Sequence, residues 1–258
     1  MTELSDLTEP TLDVVQHHRE RIWAALRRVG RPDSRFHWDF SSFIADFEGN
    51  DVATARVLDL PAWREASEVF ITPDNSTELL RREALGAGKR LLVTTYGIRR
   101  GFLRVEPGTV PEAEISYAAT LDGLDRYATP VTLAELTGGP PLRLLVTGGS
   151  AVSANGIRFG KGHGYFDLEW AMLSEIGLTG TDSEVVDIVH DEQFVDDVLV
   201  GEAHDVPVDW VVTPTRTIRV AGVDRAPGRV FWDLIPGTEH EHLPPILELQ
   251  ARREGVAS

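Results

Sequence analysis

Along the middle of the chain, short aliphatic runs alternate with helical segments, and this alternation restricts the fold more than any other feature. Residues 68–72 read as a strand, 76–85 as a helix and 90–95 as a second strand. Parallel strands need a long crossover between them, so a β, α, β rhythm argues for a parallel sheet covered by helices. Residues 142–146, 185–189 and 210–212 are further apolar runs of strand length. Helices are expected over 10–29, opened by Pro10 with Val14, Ile22, Leu26 and Val29 on one face, and over 50–58 and 61–66. Thr132 and Glu135 have the spacing of a capping box. Residues 31–49 hold Phe36, Trp38, Phe40, Phe43 and Phe47 in a loop, either a plug over the core or a surface for stacking a flat ring. A length of 258 residues suffices for one large α/β domain. We expect it over 1–225, as a three-layer α/β/α sandwich around a largely parallel sheet. Residues 226–258 read as a charged, proline-rich tail with a short helix at 246–253.

The run NGIRFGKGHGYFD, residues 155–167, carries the chemistry. Gly160, Gly162 and Gly164 alternate with Lys161 and His163, Arg158 precedes them, and a helix is expected over 165–176 with Phe166, Trp170, Leu173 and Ile176 on one face. Glycines at this spacing let backbone N–H groups converge on an oxyanion, and the helix start adds partial positive charge. Asp167, in the first turn, suits a magnesium ion that bridges phosphate oxygens. The spacing is neither GxxxxGK[ST] nor GxGxxG. Residue chemistry therefore leaves two readings open, a phosphate site or a glycine-rich turn before a buried helix. His190 with Asp191 and His204 with Asp205 match no zinc spacing and read as structural hydrogen-bonding pairs. Residues 239–242, EHEH, read as solvated.

The block resembles the signature of 5-formyltetrahydrofolate cyclo-ligases, also called methenyltetrahydrofolate synthetases, and is most similar to the methenyltetrahydrofolate synthetase domain-containing branch. The matching residues are Gly156, Arg158, Gly160, Lys161, Gly162, Gly164, Tyr165 and Asp167, followed by Leu168, Glu169, Trp170, Ala171 and Met172. Similarity continues through 185–196, His204, Asp205 and 208–215, and upstream at 19–23, 73–85 and 149–153. The resemblance implies the sugar-phosphate isomerase/CoA-transferase-like architecture. It also implies ATP- and Mg2+-dependent conversion of 5-formyltetrahydrofolate to 5,10-methenyltetrahydrofolate through a phosphorylated formyl group. Carried over by position, it implies that Arg19, Arg158, Gly160, Lys161, Gly162, His163, Gly164 and Tyr165 hold the nucleotide. Lys161 and Tyr165 would act on the reacting groups, and Asp167 and Asp209 would carry magnesium. Three departures stand out: Val15 replaces a lysine, Phe166 replaces a second tyrosine, and Asn75 lies where a substrate-contacting glutamate is expected, with Glu78 displaced. These leave a second reading open, a nucleotide-binding relative without cyclo-ligase activity in folate- or thiamin-linked metabolism. A third is a non-enzymatic interaction module. Arg99, Arg100 and Arg104 either meet a folate tail or phosphate, or lie on a solvated turn.

The formal charge of −16 disfavours nucleic acid and anionic membranes as partners, so an anionic ligand needs a local basic patch. A small molecule, a reduced folate or related acceptor, is the expected partner. The absence of cysteine excludes disulfides and thiolate metal sites. With no apolar run of spanning length and an acidic start lacking a signal pattern, the expected location is cytoplasmic.

Overall fold

The computed structural model describes residues 20–223, 225 and 228–255. Residues 20–29 are helical (α1) and lead into the aromatic loop. The chain then forms α2 (Asn50–Leu58), α3 (Pro61–Glu65), β1 (Glu68–Ile71), α4 (Glu78–Gly86), β2 (Arg90–Thr94) and β3 (Phe102–Val105). It continues with α5 (Ile115–Ala118), α6 (Leu121–Tyr127), β4 (Thr129–Val131), α7 (Leu133–Leu136), β5 (Leu144–Thr147), β6 (Ala151–Ser153) and β7 (Arg158–Phe159). The last elements are α8 (Tyr165–Glu175), β8 (Glu184–Ile188), β9 (Phe194–Val195), β10 (Trp210–Val212), β11 (Thr217–Arg219) and α9 (Pro244–Arg253).

Eight strands form one sheet in the order β11-β10-β8-β5-β1-β2-β3-β4. The five central strands are mutually parallel, and β11, β3 and β4 are antiparallel additions at the edges. Successive residues of the central strands feed two separate cores. Phe70, Leu92, Leu145, Val185 and Val211 pack with α8, α7 and α9 on one face. Val69, Ile71, Leu91, Val93, Leu144, Val146 and Val186 pack with α2, α3 and α4 on the other. Burial on both faces is why these strands read as unbroken apolar runs rather than alternating ones. The result is the expected three-layer sandwich. A small second sheet, β7-β6-β9, lies outside it. Ala151 and Val195 of that sheet pack in a third core with Ile22 and Leu26 of α1 and with Phe40 and Phe43.

The aromatic loop is a plug. Phe40, Phe43 and Phe47 are buried. Phe36 stacks on Phe43 at 5.6 Å and on Tyr96 at 5.2 Å, which ties the loop to the turn that follows β2. The Thr132 capping box forms as expected. The short helix expected at 246–253 is present as α9, and it docks on the domain. Ile246 and Leu249, three apart on α9, are buried in the main core. Glu248 accepts hydrogen bonds from the Leu133 and Ala134 amides at 3.0 and 2.6 Å, capping the start of α7. Charged residues on the outer face of an amphipathic helix gave the segment its tail-like composition.

Candidate active site

The chain runs from β1 outward to β2 on one side and later returns to β5 on the other side of β1. This reversal leaves a crevice at the carboxyl ends of β1 and β5, where open α/β sheets gather ligands. One wall is the β1 end, Thr72 to Asp74. The Thr72 hydroxyl donates to Asp74 Oδ2 at 2.7 Å, and Arg81, fully buried, donates to the carbonyls of Thr72 at 2.6 Å and Asp74 at 2.9 Å. Those bonds fix the wall, and burial lowers the Arg81 guanidinium to about 10. The opposite wall is Thr147 and Gly148. A Cβ at Gly148 would lie 2.2 Å from Ser76 Oγ, so only glycine lets the two walls approach.

The glycine-rich block closes this crevice over a cavity of about 210 Å³. Gly164 caps α8 with φ 62° and provides no side-chain cap, so the first amides of the helix are left for a ligand. Arg158, buried on β7, donates to Asp167 Oδ1 at 2.6 Å and packs 4.5 Å over the Phe166 ring. Its buried Nε has no hydrogen-bond partner. Asp167 Oδ1 also accepts the Val206 amide at 2.9 Å. Lys161 lies 5.1 Å from the Tyr96 ring and 5.8 Å from that of Tyr165, and among the described residues no carboxylate pairs with it. A helix start without its own cap, two cations and open glycine backbone are features that suit an anion.

The 5-formyltetrahydrofolate cyclo-ligase family model matches residues 13–214. The chain belongs to the 5-formyltetrahydrofolate cyclo-ligase family. It is 35% identical over 243 residues to the methenyltetrahydrofolate synthase domain-containing protein of Homo sapiens, covering 93% of this chain and 62% of that protein. The Bos taurus protein of the same name is 33% identical over the same shares. The chain thus spans about three fifths of the length of these curated relatives. The solved structure of Aquifex aeolicus 5,10-methenyltetrahydrofolate synthetase is similar with a TM-score of 0.49 at 17% identity, over 82% of this chain and 95% of that one.

Several residues implied by the cyclo-ligase signature meet at the cavity, namely Arg158, Gly160, Lys161, Gly162, His163, Gly164, Tyr165 and Asp167. Arg19 and Val15 lie outside the described residues. Asp209 is not at the cavity. It precedes β10 and therefore sits at the amino edge of the sheet, where its Oδ2 accepts from Arg225 at 2.6 Å and from the Val185 amide at 2.7 Å. Asp205 lines the cavity beside Asp167, and its pKa is raised by burial and by the Asp167 charge. Glu78 lines a different cavity, with Asp33, Asp46 and Arg82. Arg100 pairs with Asp125 and Arg104 with Glu106, so these two arginines are neutralised locally. Among the described residues no group of three His, Asp or Glu side chains is arranged to hold a metal. No described helix is long and apolar enough to cross a membrane.

Two parts of the site come from residues that sequence reasoning treated otherwise. Glu239, exposed as the EHEH run suggested, also bonds the His163 ring and accepts from the Tyr165 hydroxyl at 2.8 Å. Burial pulls the Glu239 pKa up, but the hydrogen bonds from Tyr165 and His163 prevail and hold it below its usual range. Burial and this carboxylate together raise the Tyr165 phenol. His240 reaches the His163 carbonyl at 2.7 Å, which straps the segment across the glycine block. Glu169 also lines the cavity, fully buried, and desolvation pushes it up to about 8. Its place on the apolar face of α8 was a readable signal, because an acid seldom lies there without a partner.

Proposed function

We propose that this chain is an ATP-dependent cyclo-ligase-like enzyme that activates the formyl oxygen of a reduced folate by phosphoryl transfer. The observation that carries this reading is the convergence of Arg158, Lys161 and the uncapped start of α8 at the switch-point cavity. Gly160 and Gly164 would meet no atom within 4 Å if they bore a Cβ, so there is room for phosphate against the backbone. These residues fit a nucleotide triphosphate. For magnesium, Asp167 is the carboxylate at the phosphate end, with Asp205 its acidic neighbour, which agrees with a hard ion held by one or two carboxylates, phosphate and water.

In this reading Mg·ATP supplies the γ-phosphoryl group, converting the formyl oxygen into a phosphate leaving group. The neighbouring amine nitrogen then attacks the formyl carbon, phosphate departs, the nitrogen loses its proton and the five-membered ring closes. Lys161 neutralises charge on the transferred group, Arg158 holds Asp167 in register, and Tyr165 orients the acceptor. Transfer of this kind depends mostly on positioning and charge neutralisation. The test is the near-ultraviolet absorbance of the methenyl product on mixing the protein with 5-formyltetrahydrofolate and Mg·ATP. An ATP-dependent rise is expected, lost in Asp167→Ala. A flat trace with Mg·ATP still bound would favour the second reading, a different acceptor, which the displacement of Glu78 into another cavity motivates.

Glu239 places negative charge against His163 and Tyr165, where phosphate would bind. Glu239→Gln is therefore expected to tighten Mg·ATP binding several-fold in calorimetric titration, most at low salt. Unchanged or weaker affinity would exclude competition between this carboxylate and phosphate.

A further inference from the structure

The roles above leave one buried side chain of the cavity unused. Glu169 lies one turn after Tyr165 on α8, so the two share a helix face. It is only 2% exposed. The Thr94 hydroxyl, at the carboxyl end of β2, donates to Oε1 and holds the carboxyl in place. Oε2 is buried and has no hydrogen-bond partner. Asp74 is the half-buried acid that lines the same cavity from the β1 end. Neither Arg158 nor Lys161 forms an ion pair with Glu169: Arg158 is committed to Asp167, and Lys161 sits over the rings of Tyr96 and Tyr165.

The cavity is therefore two-sided. Arg158, Lys161 and the helix start form a cationic half that suits polyphosphate. Asp74 and Glu169 form a carboxyl-lined half, and Tyr96 and Tyr165 provide flat surfaces beside both. A molecule bound against the carboxyl half must present N–H donors there, because Oε2 is buried without a partner. The buried Oε2, left without a partner while Oε1 keeps its bond from Thr94, is satisfied by an N–H donor at the edge of an amino-heterocycle. We propose that Glu169 is a specificity-determining residue that accepts N–H hydrogen bonds from the planar amino-heterocyclic edge of the acceptor. This rests on the reading that the cavity binds a nucleotide and a second small molecule together. Such a site rejects analogues that lack the donor, because its own acceptor is then left unpaired.

The test uses the full chain with Mg2+ and a non-hydrolysable ATP analogue. Ligand-observed NMR follows 2-amino-4-hydroxypyrimidine and its 2-dimethylamino counterpart, and fluorescence titration follows 5-formyltetrahydrofolate. The wild type is expected to bind the amino compound and not the dimethylamino one. Glu169→Gln, in which an acceptor oxygen becomes a donor, is expected to weaken the amino compound and the folate at least tenfold, with Mg·ATP affinity within twofold. If that variant does not fold, Thr94→Val, which releases the carboxyl, is expected to weaken the same two ligands severalfold and leave Mg·ATP unchanged. Absence of amino-compound binding in the wild type, equal binding in the variant, or no discrimination between the two pyrimidines would overturn the inference. Folate bound equally by wild type and Glu169→Gln would overturn it while the proposed activity stands. Selective binding of the amino compound without folate binding would support Glu169 and remove the folate acceptor instead.

Discussion

Replacing Lys161 with alanine is expected to lower single-turnover formation of the methenyl product by a factor of ~10²–10³, the scale of losing one preorganised charge at a reacting group. The fold should survive. Lys161 is half-exposed and forms no ion pair among the described residues, so what is lost structurally is its pair of contacts with Tyr96 and Tyr165. Exposed cation–π contacts are each worth about 0.5–1 kcal/mol. A melting temperature lowered by only a few degrees with collapsed turnover would separate the chemical role from the structural one. Lys161→Arg keeps the charge but not the compact ammonium, and partial recovery is expected. Turnover in Lys161→Ala equal to that of the wild type would remove this residue from the mechanism.

The second large effect concerns stability. Asp187 lies in the middle of the sheet, paired in register with Thr147 and Val211, and is 0% exposed. Neither carboxylate oxygen has a hydrogen-bond partner. Desolvation pushes its pKa up to about 7, against a partial pull from Arg158. In the unfolded chain an aspartate titrates near ~3.9. Between these values the folded protein holds a proton that the unfolded chain has released, so stability falls as pH rises from about 4 to 7. Above pH 7 the burden is complete, and at about 1.4 kcal/mol per pKa unit it amounts to about 4 kcal/mol. Asp187→Asn has the same shape and no charge to bury. It is expected to raise the melting temperature at pH 8 by about 10 °C, with the gain fading as pH approaches 4. Parallel pH profiles for wild type and variant would show that Asp187 does not carry this dependence.

The layered fold was legible because periodicity reports burial. Unbroken apolar runs at β1, β2, β5 and β8 meant strands covered on both faces, and the three-residue strand β10 was found at its observed bounds. The peripheral strands were not legible. β3, β4, β6, β7, β9 and β11 lie outside the five central strands, where pairing with a neighbouring strand rather than an apolar run covered on both faces defines them. The Asp187 signal was visible, since an aspartate inside the apolar strand EVVDI is a conflict that burial turns into a raised pKa.

Within the site, the chain's own sequence determined the local part. Alternating glycines, Arg158, Lys161 and the helix that begins at Tyr165 are set by residues close together in the chain, whose backbone freedom and periodicity need no partner to be read. The tertiary structure alone decided which distant groups join them. Asp209, as the residue before a parallel strand, is carried to the edge opposite the cavity, and Asp205 lines it instead. Glu239 reaches His163 and Tyr165 across more than seventy residues because α9 must bury Ile246 and Leu249 against the main core. Side-chain chemistry is local, but the end of a sheet at which a residue emerges, and the loop that faces it, follow from how buried faces pack together.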